Sequence, residues 1–496
     1  MRRSGVLLHP TALPGTPACG SLGRVAHAWI DALADHGIRA WQLLPLAPTD
    51  GTGSPYSSPS GFALNPWLLD GEQLVLDGLI DGSDLEALPA DGDPQRLDPA
   101  LADRRAELLA EALLRRSPGW PEHQHRALAH WRSRQSFWLP DHCRFMVLRR
   151  LQQQSPWWQW PAPLARRRRS ALAAFERENA EALQREALLQ WQLQRQWQRL
   201  LEHARSRGVE VVGDLPFYVA HDSADVWSRR RLFSVRADGG LTTQSGVPPD
   251  YFSATGQLWG TPVYAWPLHR LSRFHWWMQR LERQLELLDL LRLDHFRALE
   301  AAWCVPGTDS TAENGVWRRS PGEALLRRLQ TLQGGGQLPL IAEDLGVITP
   351  DVEALRDRYR LPGMKILQFA FDGNTDNPYL PENFSGSDWV VYTGTHDNAT
   401  CIGWWNALGE EERRRVEACL GSSVHAPGWQ LLELALRSSA ELAVVPLQDL
   451  LGLGDEARFN SPGTTTGNWS WRLGSGLEAL EGPLRGFGEM AGRYGR

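Results

Sequence analysis

Residues 290–296, LLRLDHF, form a short apolar run that ends in an acidic residue, Asp294. A continuous apolar run is typical of a strand buried on both faces of a parallel sheet, and Asp294 lies where the predicted strand gives way to a loop. Because side chains alternate along a strand, Arg292 points to the same face as Asp294. We expect the guanidinium to lower the pKa of this carboxyl and keep it ionised. A structural ion pair is the alternative interpretation, and both can hold.

Two further apolar runs also end in acidic residues. LPLIAEDLG (338–346) contains Glu343, and WVVYTGTHD (389–397) ends at Asp397. A single acid at a strand end is usually a helix N-cap or a partner in a loop salt bridge. Independent caps have no reason to converge, so we expect the three carboxylates to meet at one mouth of a barrel. We choose Glu343 over its neighbour because its side chain is longer, and we expect Asp344 to cap the following turn or helix.

Eight such runs recur along the chain, and helical stretches lie between many of them. Repeated βα units that close at eight strands predict an α/β protein, a (β/α)8 TIM barrel with large, mainly helical insertions around its C-terminal face. The predicted strands are GVLLHP (5–10), AWQLLPL (40–46), VEVVGDLPF (209–217), LLRLDHF (290–296), LPLIAEDLG (338–346), MKILQFAF (364–371), WVVYTGTHD (389–397) and AVVPLQDLL (443–451).

The uneven spacing between these strands indicates insertions in a single catalytic barrel unit that spans residues 1–496. We predict a mainly helical insertion over 67–200, where Leu, Arg, Gln, Ala and Trp dominate, and a second helical insertion over 401–440 after the seventh strand. We also predict an aromatic active-site loop over 242–264.

That loop contains GVPPDYFSATGQLWGTPVY (246–264), whose glycines and prolines argue against a regular helix or a central strand. We interpret it as a lid or guide over a sugar chain; the alternative is an ordered surface loop whose rings fill the barrel rim.

Composition excludes several other classes of protein. The chain has 496 residues and a net charge of −6, so its overall charge gives no reason to expect a nucleic acid or an anionic membrane as partner. Its five scattered cysteines favour neither a disulfide scaffold nor a metal site. The first apolar stretch is too short for a signal peptide, and no window approaches a membrane span. We therefore expect a cytoplasmic protein without metal or cofactor.

Acidic residues at one barrel mouth suit chemistry on a glycosidic bond, in which one carboxyl attacks and another donates a proton. Asp214 on the third predicted strand and Asp372 just after the sixth also fall at this mouth. His396, which precedes Asp397, can hold a sugar hydroxyl or can equally well bond to neighbouring backbone.

The chain resembles, essentially from end to end, the 4-alpha-glucanotransferases of glycoside hydrolase family 77, also called amylomaltases or disproportionating enzymes. Ala298 and Ala399 depart from this pattern, which often has a glycine and an acidic residue there. The motifs that carry the resemblance are GVLLHPTALPG, SPYSSPSGFALNP, DLPFYVAHDSADVW, GVPPDYFSATGQLWGTPVY, RLDHFRALE, AEDLG, PGMKILQFAF, YTGTHDN and SPGTTTGNWSWR.

The resemblance implies a retaining mechanism. In it, Asp294 is the nucleophile and Glu343 is the acid and then the base. Asp397, with His396, grips sugar hydroxyls and stabilises the transition state, while Arg292 holds Asp294 ionised. The remaining residues are implied to bind glucan: Tyr56, Asp214, Asp372 and Asn468 on the donor side, and Tyr251, Phe252 and Trp259 in a flexible loop on the acceptor side.

The function that the resemblance implies is transfer of part of an α-1,4-glucan to the 4-OH of glucose or of another maltooligosaccharide. One alternative is an α-1,4-glucan hydrolase of the same barrel superfamily, in which water takes the place of the acceptor. Another is a non-catalytic glucan-binding protein, against which the intact trio of acids argues. The aromatic segment favours transfer over hydrolysis, because it can exclude water and stack a sugar.

Overall fold

The computed structural model describes residues 2–249, 253–464 and 466–496. Strands run through the whole length of these residues. Their bounds are β1 Arg3–Leu7, β2 Ala40–Gln42, β3 Glu210–Leu215, β4 Thr243–Val247, β5 Gln257–Pro262, β6 Leu290–Leu293, β7 Ala301–Pro306, β8 Val316–Arg319, β9 Leu340–Ala342, β10 Gly363–Ile366, β11 Trp389–Tyr392 and β12 Leu442–Pro446.

Eight of these strands form one parallel sheet, in the order β10, β11, β12, β1, β2, β3, β6 and β9. The first and last strands of this order meet, because the N–H of Ala342 donates to the carbonyl of Pro362 at 2.8 Å. The sheet thereby closes into the predicted barrel, and each of the eight predicted runs overlaps one of its strands.

The two faces of the barrel wall explain why these runs are continuously apolar. One buried cluster draws side chains from all eight strands and fills the barrel interior, with Leu7, Val212 and Val390 among its members. Alternate residues such as Val6 and Val391 belong to a larger cluster that packs against the helices outside. Both sets of side chains are removed from water, so these strands favour apolar residues on both faces, and buried polar exceptions such as Gln42, Asp214 and Arg292 make hydrogen bonds or ion pairs.

The α-helices pack around this barrel and over its mouth. None in the described residues is both long and apolar enough to cross a membrane. Their bounds are α1 Arg24–Asp35, α2 Gly71–Leu76, α3 Gly82–Glu86, α4 Pro99–Arg116, α5 Glu122–Arg134, α6 Leu139–Leu151, α7 Ala162–Ala165, α8 Arg169–Glu178, α9 Ala180–Ser206, α10 Ala224–Arg229, α11 Trp266–Leu271, α12 His275–Leu287, α13 Gly322–Leu332, α14 Pro350–Arg358, α15 Cys401–Ala407, α16 Glu410–Leu420, α17 Pro427–Arg437, α18 Leu447–Leu450 and α19 Glu481–Arg493.

Helices α2 to α9 lie between the second and third barrel strands. Their local sequence explains where they begin and end. Asp98 accepts the N–H of Leu101 at 3.0 Å as the N-cap of α4, and Pro99 occupies the first turn. After α9, Gly208 takes a positive φ of 70°, which suits a glycine beyond a helix end. α4 and α6 both pack against α9, which in turn contacts β3, so this insertion is built onto the barrel wall.

The segment 242–264, which we expected to be a non-regular loop, differs from that prediction. It contains β4 and β5, which form an antiparallel sheet with β7 and β8 in the order β5, β4, β7, β8. The prolines do not prevent this, because Pro248 and Pro249 lie beyond β4 and Pro262 is the last residue of the edge strand β5. Gly246 permits the close strand approach, since a Cβ there would lie 2.3 Å from the carbonyl oxygen of Gln257.

Candidate active site

Two acidic residues follow neighbouring barrel strands. Asp294 is the first residue after β6, and Glu343 is the first after β9. These strands pair in parallel with Leu293 opposite Ala342, so the two acids occupy matching positions. Adjacent strands lie about 4.8 Å apart, and both acids line the same open cavity. The fold therefore brings the two predicted carboxylates together at the C-terminal mouth of the barrel.

Arg292 joins Asp294 to a second, deeper carboxylate. Its Nη2 lies 3.0 Å from Oδ1 of Asp294, and its Nη1 lies 2.5 Å from Oδ2 of Asp214. The same Asp214 oxygen accepts the hydroxyl of Tyr56 at 2.6 Å. Arg292 and Asp214 are buried, whereas 29% of the Asp294 side chain stays exposed. Arg292 therefore holds the carboxylate of Asp294 in place and also pairs with the buried carboxylate of Asp214.

The net pKa of Asp294 differs from our expectation. Burial raises the pKa of Asp294 to about 6, and it outweighs the lowering by Arg292; the nearby charge of Asp214 raises the pKa further. The predicted contact is present, but the sequence pattern did not show that two carboxylates share one guanidinium in a poorly hydrated site. At neutral pH this carboxyl is still mainly ionised, as a nucleophile requires.

Glu343 has a still higher pKa. Burial raises the pKa of Glu343 to about 7, although Arg292 lowers it, and the charge of Asp294 raises it further. Its Oε2 accepts the N–H of His295 at 2.6 Å, and its Oε1 accepts the N–H of Leu345 at 3.0 Å. His295 has a φ of 52°, and this left-handed turn aims its N–H at the glutamate. Glu343 is therefore fixed in orientation and partly protonated near neutral pH, as a general acid requires.

Asp397 lies in a loop beyond its strand, since β11 ends at Tyr392. Its Oδ1 accepts the amide of Asn460 at 2.6 Å, and its Oδ2 lies 3.4 Å from Nε2 of His396. Burial opposes its ionisation, but the charge and hydrogen bond of His396 and the bond from Asn460 hold the pKa of Asp397 well below its usual range. Asp397 is therefore a permanent anion at the mouth, and Asn460 is a partner that sequence reasoning missed.

A buried aspartate anchors the loop that carries Asp397. Asp449 accepts the hydroxyl of Thr393 at 2.8 Å and the N–H of Cys401 at 2.7 Å. Thr393 follows β11 directly and Cys401 begins α15, so one carboxylate ties down both ends of the loop.

The three acids line a cavity with a volume of about 1470 Å³. Tyr56 stacks on His396 with ring centroids 5.0 Å apart, and Trp469 lies 6.0 Å from the same imidazole. Trp259 meets the ring of His295 edge to face at 4.8 Å. The cavity therefore offers both carboxylates and aromatic faces to a ligand.

The structure places most of the predicted site residues around this cavity. Arg292, His396, Tyr56, Trp259, Asp372 and Asn468 line it together with the three acids. Tyr251 and Phe252 lie outside the described residues. The aromatic residues Phe371, Tyr379, Trp404 and Trp469 also line it and were not predicted individually. For Trp404 and Trp469, the excess of tryptophan, 24 residues in all, was a general signal in the sequence.

Two sequence predictions need correction. Asp214 does not reach the ligand space, because only 1% of its side chain is exposed and Arg292 and Tyr56 cover it. Asp344 does not cap a turn or helix; it pairs with Arg356 and accepts the N–H of Met364 at 2.7 Å. In both cases a partner distant in sequence competes for the carboxylate, and a local pattern cannot show such a partner.

Comparison with known proteins finds the same family along the chain. A family model described as 4-alpha-glucanotransferase matches residues 8–477. A 4-alpha-glucanotransferase of Synechocystis sp. is 43% identical over 99% of this chain and 98% of its own length. One of Thermus thermophilus is 43% identical over 95% of each chain. Among solved structures, the amylomaltase from Streptococcus agalactiae in complex with acarbose superposes with a TM-score of 0.95, at 32% identity over 100% of both chains.

Proposed function

This chain belongs to the 4-alpha-glucanotransferase family, glycoside hydrolase family 77, and we propose that Asp294, Glu343 and Asp397 carry the glucan transfer that defines it. The observation that supports this assignment most strongly is that Asp294 and Glu343 occupy matching positions at the ends of neighbouring strands and line one cavity, where burial raises the pKa of both carboxyls. Strand spacing near 4.8 Å also suits the separation of about 5–5.5 Å between the two carboxyls of a retaining pair.

In the first step, the ionised carboxylate of Asp294 attacks the anomeric carbon of an α-1,4-linked glucosyl unit. The bond between that carbon and the bridging oxygen breaks, and Glu343 gives its proton to the oxygen of the departing glucan. The donor segment remains as an ester on Asp294. Two backbone N–H groups hold the Glu343 carboxyl in one orientation at the wall of the cavity.

In the second step, the 4-OH of an acceptor sugar attacks the same carbon, and the ionised Glu343 takes the hydroxyl proton. Asp294 is released and the α-configuration is restored. Asp397 remains anionic throughout and stabilises the positive charge that develops on the sugar in both transition states. Its bonds to His396 and Asn460 keep it in position for this role.

The substrates proposed are α-1,4-glucan donors, with glucose or maltooligosaccharides as acceptors. Aromatic faces at Tyr56, Trp259 and Trp469 support this choice, because such rings pack against the apolar C–H faces of sugars. Tyr251 and Phe252 belong to the same segment as Trp259, and we assign them to the acceptor side. Asp372 and Asn468 line the cavity and are assigned to the donor side. The unpaired cysteines suit a reducing compartment, and we assign the protein to the cytoplasm.

Incubation with maltotriose alone tests the function. Transfer yields glucose and oligosaccharides longer than maltotriose, and the total number of reducing ends stays constant. Hydrolysis yields maltose and glucose with a rising number of reducing ends. A steady rise without longer products identifies the protein as a hydrolase and contradicts the assignment.

A further inference from the structure

We propose that Trp317, together with Trp303, forms a second glucan-binding surface outside the catalytic cavity, where it holds the part of a long α-glucan chain that protrudes from the mouth. This inference rests on the proposed function, because it takes an α-glucan substrate as its premise. Neither tryptophan lines the cavity that contains the three acids.

Trp317 presents an unusually open ring for a large aromatic side chain. It lies on the edge strand β8, and 40% of its surface is exposed. The guanidinium of Arg297 lies 3.7 Å from the centre of its ring and covers one face. Trp303, directly opposite on β7, meets it at 5.2 Å and 61°. The exposed area is therefore on the remaining face and edge, which is the surface a sugar ring packs against.

Hydrogen bonds to two backbone carbonyl groups hold Arg297 and Trp303 in place beside Trp317. Arg297 is buried and donates to the carbonyl oxygen of Val347 at 2.9 Å. The indole N–H of Trp303 donates to the carbonyl oxygen of Ala312 at 2.9 Å. An aromatic surface that is already fixed in place loses little conformational entropy when a ligand binds.

The surface is continuous with the rim of the catalytic cavity on two sides. Val347, which accepts the bond from Arg297, directly follows Leu345 and Gly346 of the cavity wall. On the other side, the N–H of Ala312 donates at 3.0 Å to Thr255, in the connection between β4 and β5. That hairpin carries Trp259, which lines the cavity. The tryptophan pair is therefore connected to two of the segments that form the rim, which is where a protruding glucan chain would reach it.

The chemistry of this surface favours an uncharged, hydroxyl-rich ligand with apolar faces. Arg319 lies two residues after Trp317 and so projects from the same face of β8. It is 83% exposed and can donate to sugar hydroxyls, while its contact with Asp351 at 3.3 Å offsets its charge. An aromatic ring beside a partly neutralised guanidinium matches a glucan chain.

Direct binding provides the first test. Asp294→Asn is used as the background so that the glucan is not consumed, and retardation is measured in native gels with and without amylose. Adding Trp317→Ala reduces the retardation, whereas Trp317→Phe, which keeps an aromatic face, retains most of it. The matched control is Trp131→Ala, a half-buried tryptophan on α5 that does not line the cavity. Equal retardation of the Trp317→Ala and Trp131→Ala proteins overturns the inference.

Chain-length dependence provides the second test, with Asp294 intact. We expect Trp317→Ala to lower the ratio of kcat/KM for amylose to kcat/KM for maltotriose about tenfold, and Trp131→Ala to leave that ratio at its wild-type value. A structural defect lowers both rates together and leaves the ratio unchanged, which counts against the inference. If the wild-type protein shows no transfer from maltotriose, the proposed function itself fails, so the two failures are distinguishable.

Discussion

At the scale of single residues, the chemistry depends on two neighbouring carboxyl groups whose pKa values are both raised. The pKa of Asp294 is about 6 and that of Glu343 is about 7, and burial is the main cause in both. Because the groups interact, these two values describe the titration of the pair. The active form has one proton, which resides on Glu343.

The two titration steps of this pair predict a bell-shaped dependence of kcat/KM on pH. Activity rises as pH increases through about 6, because Asp294 loses its proton and becomes a nucleophile. Activity falls as pH increases through about 7, because Glu343 loses the proton that the leaving glucan needs. Initial rates of maltotriose disproportionation between these limits and beyond them measure both limbs.

Glu343→Gln separates the two limbs. With α-maltotriosyl fluoride as donor, the fluoride ion leaves without being protonated by an acid. The pH profile of fluoride release by this variant should therefore keep the acidic limb and lose the alkaline limb. An alkaline limb that persists unchanged in Glu343→Gln assigns that proton to another group and contradicts the role given to Glu343.

The sequence predicted the placement of single side chains correctly where that placement depends only on neighbouring positions in the chain. Strand alternation placed Arg292 beside Asp294, and side-chain length selected Glu343 over Asp344 for the cavity. The net pKa of Asp294 could not be predicted, because it depends on burial and on Asp214, which reaches the same guanidinium from another strand.

At the scale of secondary-structure elements, the loop 393–401 carries Asp397 but has no regular structure of its own to fix it. Asp449 ties both ends, through Thr393 and Cys401. Both partners are buried, so a lost bond is not replaced by water. The position of Asp397 therefore depends on a residue that follows the last barrel strand.

We expect Asp449→Asn to lower kcat about 10- to 100-fold, because its single amide oxygen can satisfy only one of the two donors and Asp397 shifts. Asp70→Asn is the matched control, since Asp70 is also buried and accepts one hydroxyl, from Ser21, and one backbone N–H, from Gln73. Both variants lower the melting temperature, but only Asp449→Asn lowers kcat. An equal kcat in the two variants at matched stability assigns Asp449 a purely structural role.

The segment 242–264 shows the limit of prediction at this scale. Its glycines and prolines indicated a loop, yet most of them fall at turns or strand ends, and two strands form between them. The pairing of β4 with β7 supplies the hydrogen bonds, and β7 lies far along the chain. Local composition shows where a strand is interrupted, but it does not reveal a distant partner.

At the scale of the whole molecule, the barrel must close between β9 and β10, the two ends of the strand order. Asp344 stabilises this seam, because it follows β9, accepts the N–H of Met364 on β10 and pairs with Arg356 on α14. Arg356 also lies 4.6 Å from the ring centre of Trp389 on β11. One buried carboxylate therefore connects three elements at the point of closure.

Asp344→Ala should reduce the free energy of unfolding by about 3–5 kcal/mol, because it removes the only buried carboxylate that pairs with Arg356 among the described residues. Asp357→Ala is the control, since Asp357 contacts the same arginine at 2.8 Å but is 64% exposed. Asp357→Ala should reduce the free energy of unfolding by less than about 1 kcal/mol. Urea denaturation measures both, and equal losses in the two variants contradict the role of Asp344 at the seam.

The barrel itself was predictable because a strand buried on both faces leaves a mainly apolar run, as in LLRLDHF and WVVYTGTHD. The contacts that close it between β9 and β10 were not predictable, because no local pattern marks the backbone bond from Ala342 to Pro362. The same holds for the cavity walls, where Trp404 lies on α15 and Trp469 lies in the segment that follows the last barrel strand.

The central claim is that Asp294 forms the covalent bond to the glucan and that Glu343 then acts as the base that activates the acceptor hydroxyl. The most direct measurement is mass spectrometry of proteolysed Glu343→Gln after incubation with α-maltotriosyl fluoride. Without the base, the second step is slow, so a maltotriosyl ester accumulates on the peptide that contains Asp294, and the Asp294→Asn protein gives none. An adduct on Asp397, or undiminished transfer by Asp294→Asn, contradicts the account.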